Sequence, residues 1–317
     1  MKQLFILSKE NINISVKEVI HFLNLKTYEV LENFLITTTN FYEKSHYLAY
    51  TKEILEILSE CELNKFNDEF IKSFDWNKYY KKNFALKLNK NKNLEKTYSS
   101  IIFNNIQDPI VKLDCPETLF KIIFTKNKVF ICKHIVYTKD YKFNNYESHK
   151  THKRPYPHPS SLHPKLARAM VNMLGQNAPI IVDPFCGSGG ILIEAGLTKH
   201  KIIGFDIDKI MLKRAYYNLK FFNINEFTLE LRDACDLQKV DYFVTDLPYG
   251  KNTKAIELNE LYNSFFKELY FKKAVVGFPD FVDYKKIIKR YNLIIKEELK
   301  YKIHKSLNKI ILIITMK

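Results

Sequence analysis

The sequence predicts an α/β protein: an open, mostly parallel sheet of seven strands with helices on both faces fills the C-terminal half, and a smaller α+β module precedes it. Three observations predict this. From residue 154 onward, strand-length apolar runs alternate strictly with helical patterns, which is how doubly wound sheets are built. The chain holds only eight glycines, and four of them (Gly187, Gly189, Gly190 and Gly196) fall within ten positions, directly behind the apolar run 179–182. In so glycine-poor a chain, such clustering marks a backbone that turns tightly or comes close to something bulky. Before residue 150, short strands and helices mix without that alternation.

In chain order, residues 3–7 and 34–38 read as strands, and 16–23 and 51–58 as helices. Residues 84–88, 110–113, 119–124 and 129–134 are alternating or apolar runs and read as strands. The pattern suggests two small subdomains, 1–62 and 63–145. The polar stretch 141–153 carries the main boundary, with a linker at 146–153 and the doubly wound domain at 154–317. In that domain a helix at 162–174 precedes strand 180–183, helix 190–197, strand 202–206, helix 209–221 and strands 227–231 and 241–245. A helix around 259–270, strand 274–277, helix 281–291 and the closing strands 293–299 and 309–315 complete it.

At 317 residues the chain is long enough for two or three domains with cores of their own. No apolar run approaches the roughly 20 residues that span a bilayer. The apolar part of residues 1–7 is too short for a signal peptide and lacks a small-residue cleavage site. Five cysteines, widely spaced and without a CxxC pair, fit a reducing cytoplasm and neither a disulfide framework nor a zinc ribbon. The net charge of +15 points to a polyanionic partner. A lysine-rich genome would supply some of the same excess, since 45 lysines stand against 5 arginines. The densest patch, Lys78, Lys81, Lys82, Lys87, Lys90, Lys92 and Lys96, is interleaved with Trp76, Tyr79, Tyr80 and Phe84, a mixture suited to RNA backbones and unstacked bases.

In a doubly wound sheet the ligand lies across the carboxyl ends of the strands. The first such end is Asp183-Pro184-Phe185-Cys186-Gly187-Ser188-Gly189-Gly190. The second is Asp206, followed by Ile207, nineteen residues after Gly187, where a carboxylate can accept both hydroxyls of a ribose. The third is Asp233, followed by Ala234, suited to an adenine amino group. A dinucleotide would use the first two ends equally well, but it calls for G-x-G-x-x-G, and the run from Gly187 to Leu192 has no glycine at the sixth position. Asp183 is a poor neighbour for a diphosphate and a good one for an ammonium, which favours S-adenosylmethionine. Cys186 reads as a small buried spacer rather than a nucleophile.

About sixty residues on, Asp246-Leu247-Pro248-Tyr249-Gly250 ends the apolar run 242–245. It is similar to the (Asp/Asn)-Pro-Pro-(Tyr/Phe) motif of amino methyltransferases, with Leu247 at the first proline. An exocyclic amine conjugated to its ring is a weak nucleophile. The Asp246 carboxylate and the main-chain carbonyl of Leu247 can hold its two hydrogens and aim the nitrogen. Asp246 would also stabilise the charge that develops on nitrogen and take the proton, while Tyr249 stacks on the extruded base.

Upstream, residues 154–170 contain four prolines within ten positions, with Ser161 as the expected cap of the following helix. Ser160 and Ser161 offer hydroxyls and amides to a cofactor carboxylate. The histidines His149, His152, His158 and His163 match no common zinc spacing, so no metal is expected. Arg154 and His158 are expected RNA contacts, together with Lys78, Lys81, Lys82 and with His304 and Lys305 of the loop between the last two strands.

On these residues the chain resembles the archaeal and eukaryotic tRNA guanine-10 N2-methyltransferases. The resemblance is carried by RPYPHPSSLHPKLARAMVN (154–172), DPFCGSGGILIEAG (183–196), GFDID (204–208), DLPYG (246–250) and HKSL (304–307). More faintly, residues 65–145 resemble a THUMP domain, chiefly at 108–114 and 128–134. The resemblance implies a Rossmann-like methyltransferase domain that uses S-adenosylmethionine, preceded by a ferredoxin-like and THUMP module holding the acceptor end of tRNA. It implies methylation, once or twice, of a guanine amine in the cytoplasm, by a monomer with room for an activating protein subunit. The rivals are a ribosomal RNA guanine-N2 methyltransferase, a DNA amino-methyltransferase, a dehydrogenase, and a noncatalytic RNA-binding protein with a degenerate domain. The intact Asp183, Asp206, Asp246 and Tyr249 speak against the last.

Overall fold

A computed structural model describes residues 1–39, 43–159, 161–249, 255–304 and 307–317. The chain divides into two compact units, one of residues 1–9, 26–46 and 51–138, the other of residues 10–25, 47–50 and 139–317. It begins with β1 (Lys2–Leu7) and α1 (Ile12–Leu23), the latter capped by Asn11, whose side chain accepts from the Ile14 N–H. Then come β2 (Glu29–Leu31), β3 (Phe34–Thr38), β4 (Thr51–Glu62), α2 (Asp68–Ser73), β5 (Phe84–Leu88), α3 (Glu95–Asn105), β6 (Thr118–Phe124) and β7 (Lys128–Tyr137).

The seven strands of the first unit form one sheet in the order β2-β3-β1-β4-β7-β6-β5. Its continuity rests on β4, which pairs with β1 along one edge and β7 along the other. Residues 51–58 read as a helix because Ile54, Leu55, Ile57 and Leu58 recur at helical spacing. They form a strand instead. Register shifts against β7 at Ile54/Leu55 and Ile57/Ser59 break the two-residue alternation and bury Ile54 and Leu55 together. The strands of residues 1–62 and of 63–145 are thus continuous in one sheet, and α1 belongs to the second unit. The strand expected at 110–113 reduces to a single bridge between Val111 and Phe84. Trp76, Phe84, Phe120 and Ile131 fill the core of the first unit.

In the second unit α4 (Tyr146–His149) and α5 (Pro164–Met173) lead into β8 (Ile180–Asp183), α6 (Gly190–Leu197), β9 (Lys201–Asp206), α7 (Lys209–Phe221), β10 (Phe227–Leu231) and β11 (Tyr242–Asp246). After these come α8 (Ala255–Lys267), β12 (Lys273–Pro279), α9 (Tyr284–Arg290), β13 (Leu293–His304) and β14 (Leu307–Met316). The order is β10-β9-β8-β11-β12-β14-β13, parallel through β12 and antiparallel for the last two. This is the expected α/β sheet. Its strands read as near-continuous apolar runs because both faces are covered. One apolar layer contains Leu166, Met170, Ile191 and Val244, and the other Phe243, Tyr262, Phe265 and Ile287.

α1 joins this unit through a buried carboxylate. Glu18, fully buried, accepts from the backbone N–H groups of Ala49 (2.6 Å) and Tyr50 (2.8 Å) and from Asn172 Nδ2 on α5 (2.6 Å). α5 and α6 are tied by a second buried pair. Arg168 Nη2 lies 2.8 Å from Glu194 Oε2, while Oε1 of the same residue lies 3.0 Å from His149 Nδ1.

Candidate active site

Asp183, Asp206 and Asp246 end β8, β9 and β11, and Asp233 follows β10, so the sheet brings four acids to one rim. All four line a single cavity of about 430 Å³. The turn after β8 supplies Pro184, Phe185, Cys186, Gly187 and Ser188 to its wall, and Ile207 and Ala234 flank it at the next two strand ends. Leu247, Pro248 and Tyr249 line it too, as do His158 and Ser161 of the proline-rich stretch.

The glycine turn is built as its composition requires. Gly187 (φ +51°) and Gly189 (φ +86°) adopt the left-handed region that side chains disfavour. A Cβ on Gly187 would meet nothing within 4 Å, which leaves the cavity open there, whereas one on Gly189 would press on Ala215 of α7 at 3.3 Å. Gly189 is thus a packing position rather than part of the cavity wall. Cys186 is buried, and desolvation pushes its thiol well above its ordinary value, which disfavours the thiolate.

Each acid is oriented by donors. Asp206 accepts from the Gly187 N–H through one oxygen (2.8 Å) and from the Asp208 N–H through the other (2.9 Å). Asp183, 2% exposed, accepts from Thr245 Oγ1 at 2.8 Å and from the Phe185 N–H at 3.2 Å. Burial pushes its carboxyl up to about 7, and the charges of Asp246 and Asp206 add to the rise. Asp233 takes the Cys235 N–H at 2.9 Å. Burial likewise raises the Asp246 carboxyl above the ordinary range, and Lys309 pulls it back.

Lys309 is the residue that sequence reading missed. It lies on β14, is fully buried, donates to Asp246 Oδ1 and sits 4.5 Å from the centroid of the Tyr249 ring. The available signal was a lysine bordering the apolar run 310–314. Leu247 stands where the resembling motif has proline. Its N–H donates to Gly277 O at 3.0 Å, a bond proline cannot make, and its side chain is fully buried. Tyr262 of α8 donates to Pro248 O at 2.8 Å and braces the turn from the other side.

Several expectations fail for reasons of burial. Arg154 is 3% exposed and donates to His149 O, so it offers no surface to a polyanion. Trp76 and Phe84 are core residues with no exposed surface, and no base can stack on them; Lys78, Lys81 and Lys82 are exposed. Ser161 does not cap α5. Its hydroxyl meets that of Ser188 at 3.1 Å, and the cap is His163, whose ring accepts from the Lys165 N–H. Ser160 and Lys305 lie outside the described residues, as does the side chain of His304.

Residues 151–277 match the family model of the RMKL-like methyltransferase domain. The chain is 34% identical over 287 residues to the tRNA (guanine(10)-N2)-dimethyltransferase of Methanothermobacter thermautotrophicus, covering 84% of this chain and 83% of that protein. It is 28% identical over 258 residues to the Pyrococcus abyssi protein of the same name, covering 76% of each. Among solved structures, TrmN from Thermus thermophilus aligns over 100% of both chains with a TM-score of 0.54 and 14% identity, a likeness of fold, here a Rossmann-like α/β fold. A third of all positions identical across more than four fifths of both chains places this chain in the tRNA (guanine(10)-N2)-dimethyltransferase family.

Proposed function

We propose that this protein transfers methyl groups from S-adenosylmethionine to the exocyclic N2 amine of guanosine 10 in tRNA. The observation that carries the reading is the placement of Asp246, Pro248 and Tyr249 on the same cavity as Asp183, Asp206 and the Gly187 turn. That cavity fits the donor. It is open at Gly187, carries an oriented acid at Asp206 for ribose hydroxyls, and holds Asp233 at the third strand end for an adenine amine. Asp183 would take the donor's ammonium, and the paired hydroxyls of Ser161 and Ser188 its carboxylate. When bound, S-adenosylmethionine supplies an electrophilic methyl group on a sulfonium sulfur.

The chain's own residues supply position and charge. Asp246 accepts one amine hydrogen and the Leu247 carbonyl the other, which turns the nitrogen lone pair toward the donor. As nitrogen gains its methyl group it becomes cationic, and Asp246 stabilises that charge and takes the released proton. Tyr249 stacks on the base. A second round needs one amine hydrogen fewer, and the relatives' names support dimethylation.

The first unit, with Lys78, Lys81 and Lys82 exposed, is the part we assign to holding the tRNA. No described helix is long and apolar enough to cross a membrane, and the five free cysteines fit a cytoplasmic enzyme. The test is nucleoside analysis of an unmodified tRNA transcript after incubation with labelled donor. We expect label in N2-methylated guanosine mapping to position 10; label confined to another nucleoside would overturn the assignment.

A further inference from the structure

The acid that receives the amine is itself held by a cation from a distant strand. In β14 the side chains from Ile310 to Ile314 are buried and apolar, and Lys309 at their head is equally buried. β12 organises the meeting. Its Gly277 pairs with Asp246 of β11 on one side, and its Pro279 pairs with Lys309 of β14 on the other. A Cβ at position 277 would lie 2.7 Å from Asp246 Oδ1 and 3.2 Å from Lys309 Cδ, so any larger residue would push these two side chains from their present places. The ammonium then binds Oδ1 of Asp246 and the face of Tyr249 at once.

A buried ammonium is costly, and an isoleucine or valine at 309 would continue the strand at no such cost. The lysine stands where it touches both the acceptor and the stacking platform of the proposed reaction. We propose that Lys309 is a positioning residue of the methyl transfer, holding one oxygen of Asp246 and the ring of Tyr249 so that the second carboxylate oxygen faces the substrate amine. The proposal rests on the reading of Asp246 as amine acceptor.

The charges around Asp246 support it. Asp183 approaches from β8 and is itself raised by the charge of Asp246, while Tyr262 from α8 and Tyr249 from its own turn are phenols. Among the described residues Lys309 is the cation that meets this carboxylate and the influence that lowers its raised proton affinity. Without it, Asp246 would hold a proton to higher pH, and a protonated carboxyl neither accepts the amine hydrogen well nor takes the released proton.

The experiment measures kcat and the KM for tRNA across pH for the full-length wild type, Lys309→Met, Lys309→Arg, Gly277→Ala and Asp246→Asn. Calorimetric titration with S-adenosylhomocysteine reports the folded, donor-competent fraction. Lys309→Met should lower kcat roughly 100-fold, the scale of a misplaced reacting group. KM and S-adenosylhomocysteine affinity should stay within about twofold, and the acidic limb of the kcat profile should move to higher pH. Lys309→Arg should restore that limb. Gly277→Ala keeps both side chains but wedges them apart, and should shift the limb in the same direction; it decides the matter if Lys309→Met does not fold. A wild-type limb in folded Lys309→Met or in Gly277→Ala, or a loss of kcat that only tracks the folded fraction, overturns the proposal. If Asp246→Asn is inactive while those limbs stay wild-type, the role of Lys309 fails alone. If Asp246→Asn keeps wild-type kcat, the reading of Asp246 fails first.

Discussion

Asp206 at the end of β9 holds the turn that follows β8, because its carboxylate accepts the Gly187 backbone N–H at 2.8 Å. The acid and the glycine turn are therefore one device. The same carboxylate that would meet the ribose also fixes the loop against which the rest of the donor would lie. Asp206→Ala removes both functions. A hydrogen bond to a charged group contributes about 1.5–3 kcal/mol, so S-adenosylhomocysteine affinity should fall by roughly 10- to 100-fold. Calorimetric titration measures this, and unchanged affinity would remove Asp206 from the donor site.

Asp183 should make the proposed donor site sensitive to pH. Its carboxyl is raised to about 7 in the folded chain, against an ordinary value near 4, so the folded state binds a proton that the unfolded state releases between those limits. Stability from this group is therefore present at low pH and is lost as pH rises toward 7, by an amount on the order of 4 kcal/mol at most. A ligand ammonium reverses the preference, so S-adenosylhomocysteine should bind more tightly as pH rises through about 7. Urea unfolding and calorimetry of wild type and Asp183→Asn test both statements. The variant should lack both pH dependences, and an identical profile in the two proteins would show that the titrating group lies elsewhere.

The buried pair of Arg168 and Glu194 should be costly to break and cheap to replace. Both side chains are fully buried, and Glu194 also meets His149. Arg168→Ala leaves a carboxylate without its guanidinium in the core and should cost about 3–5 kcal/mol in urea unfolding. Replacing both partners by leucine should recover most of that loss. A loss below about 1 kcal/mol for Arg168→Ala would mean that the pair does not tie α5 to α6.

Lys78, Lys81 and Lys82 are exposed on the first unit and are the part of the basic patch we expect RNA phosphates to meet. Changing all three to alanine should weaken tRNA binding and flatten its salt dependence. Each lost phosphate contact lowers the slope of log K against log salt by about 0.7–0.9. Filter binding at several salt concentrations measures the slope, and an unaltered slope would place the RNA on another face. Substitution is a cleaner test than deleting residues 1–150, because that deletion would also strip α1 and Glu18 from α5.

Along β8, α6, α7 and β10 the boundaries read from sequence coincide with those observed. These segments carry their instructions locally, in the glycine turn, the Asp208 cap and the apolar period. Where the reading failed, a partner far along the chain made the decision. Residues 51–58 have helical spacing but lie between β1 and β7, and sheet pairing with bulges overrode the period. α3 went unnoticed because its sequence buries little, Tyr98 and Ile102 being its buried positions. Trp76 and Phe84 looked like stacking residues beside lysines until the fold placed them in a core.

The sequence by itself determined the class of sheet, the order of its C-terminal elements and three strand-end acids with the motif after them, since turn sterics and side-chain periodicity act over a few residues. The tertiary structure decided what surrounds those acids. Lys309 is 63 residues from Asp246 and reaches it because β14 runs antiparallel beside β12 and Gly277 leaves the gap. Glu18 finds Asn172 across 154 residues. Contacts of that kind follow from which faces must be buried together, and no local pattern along the chain encodes them.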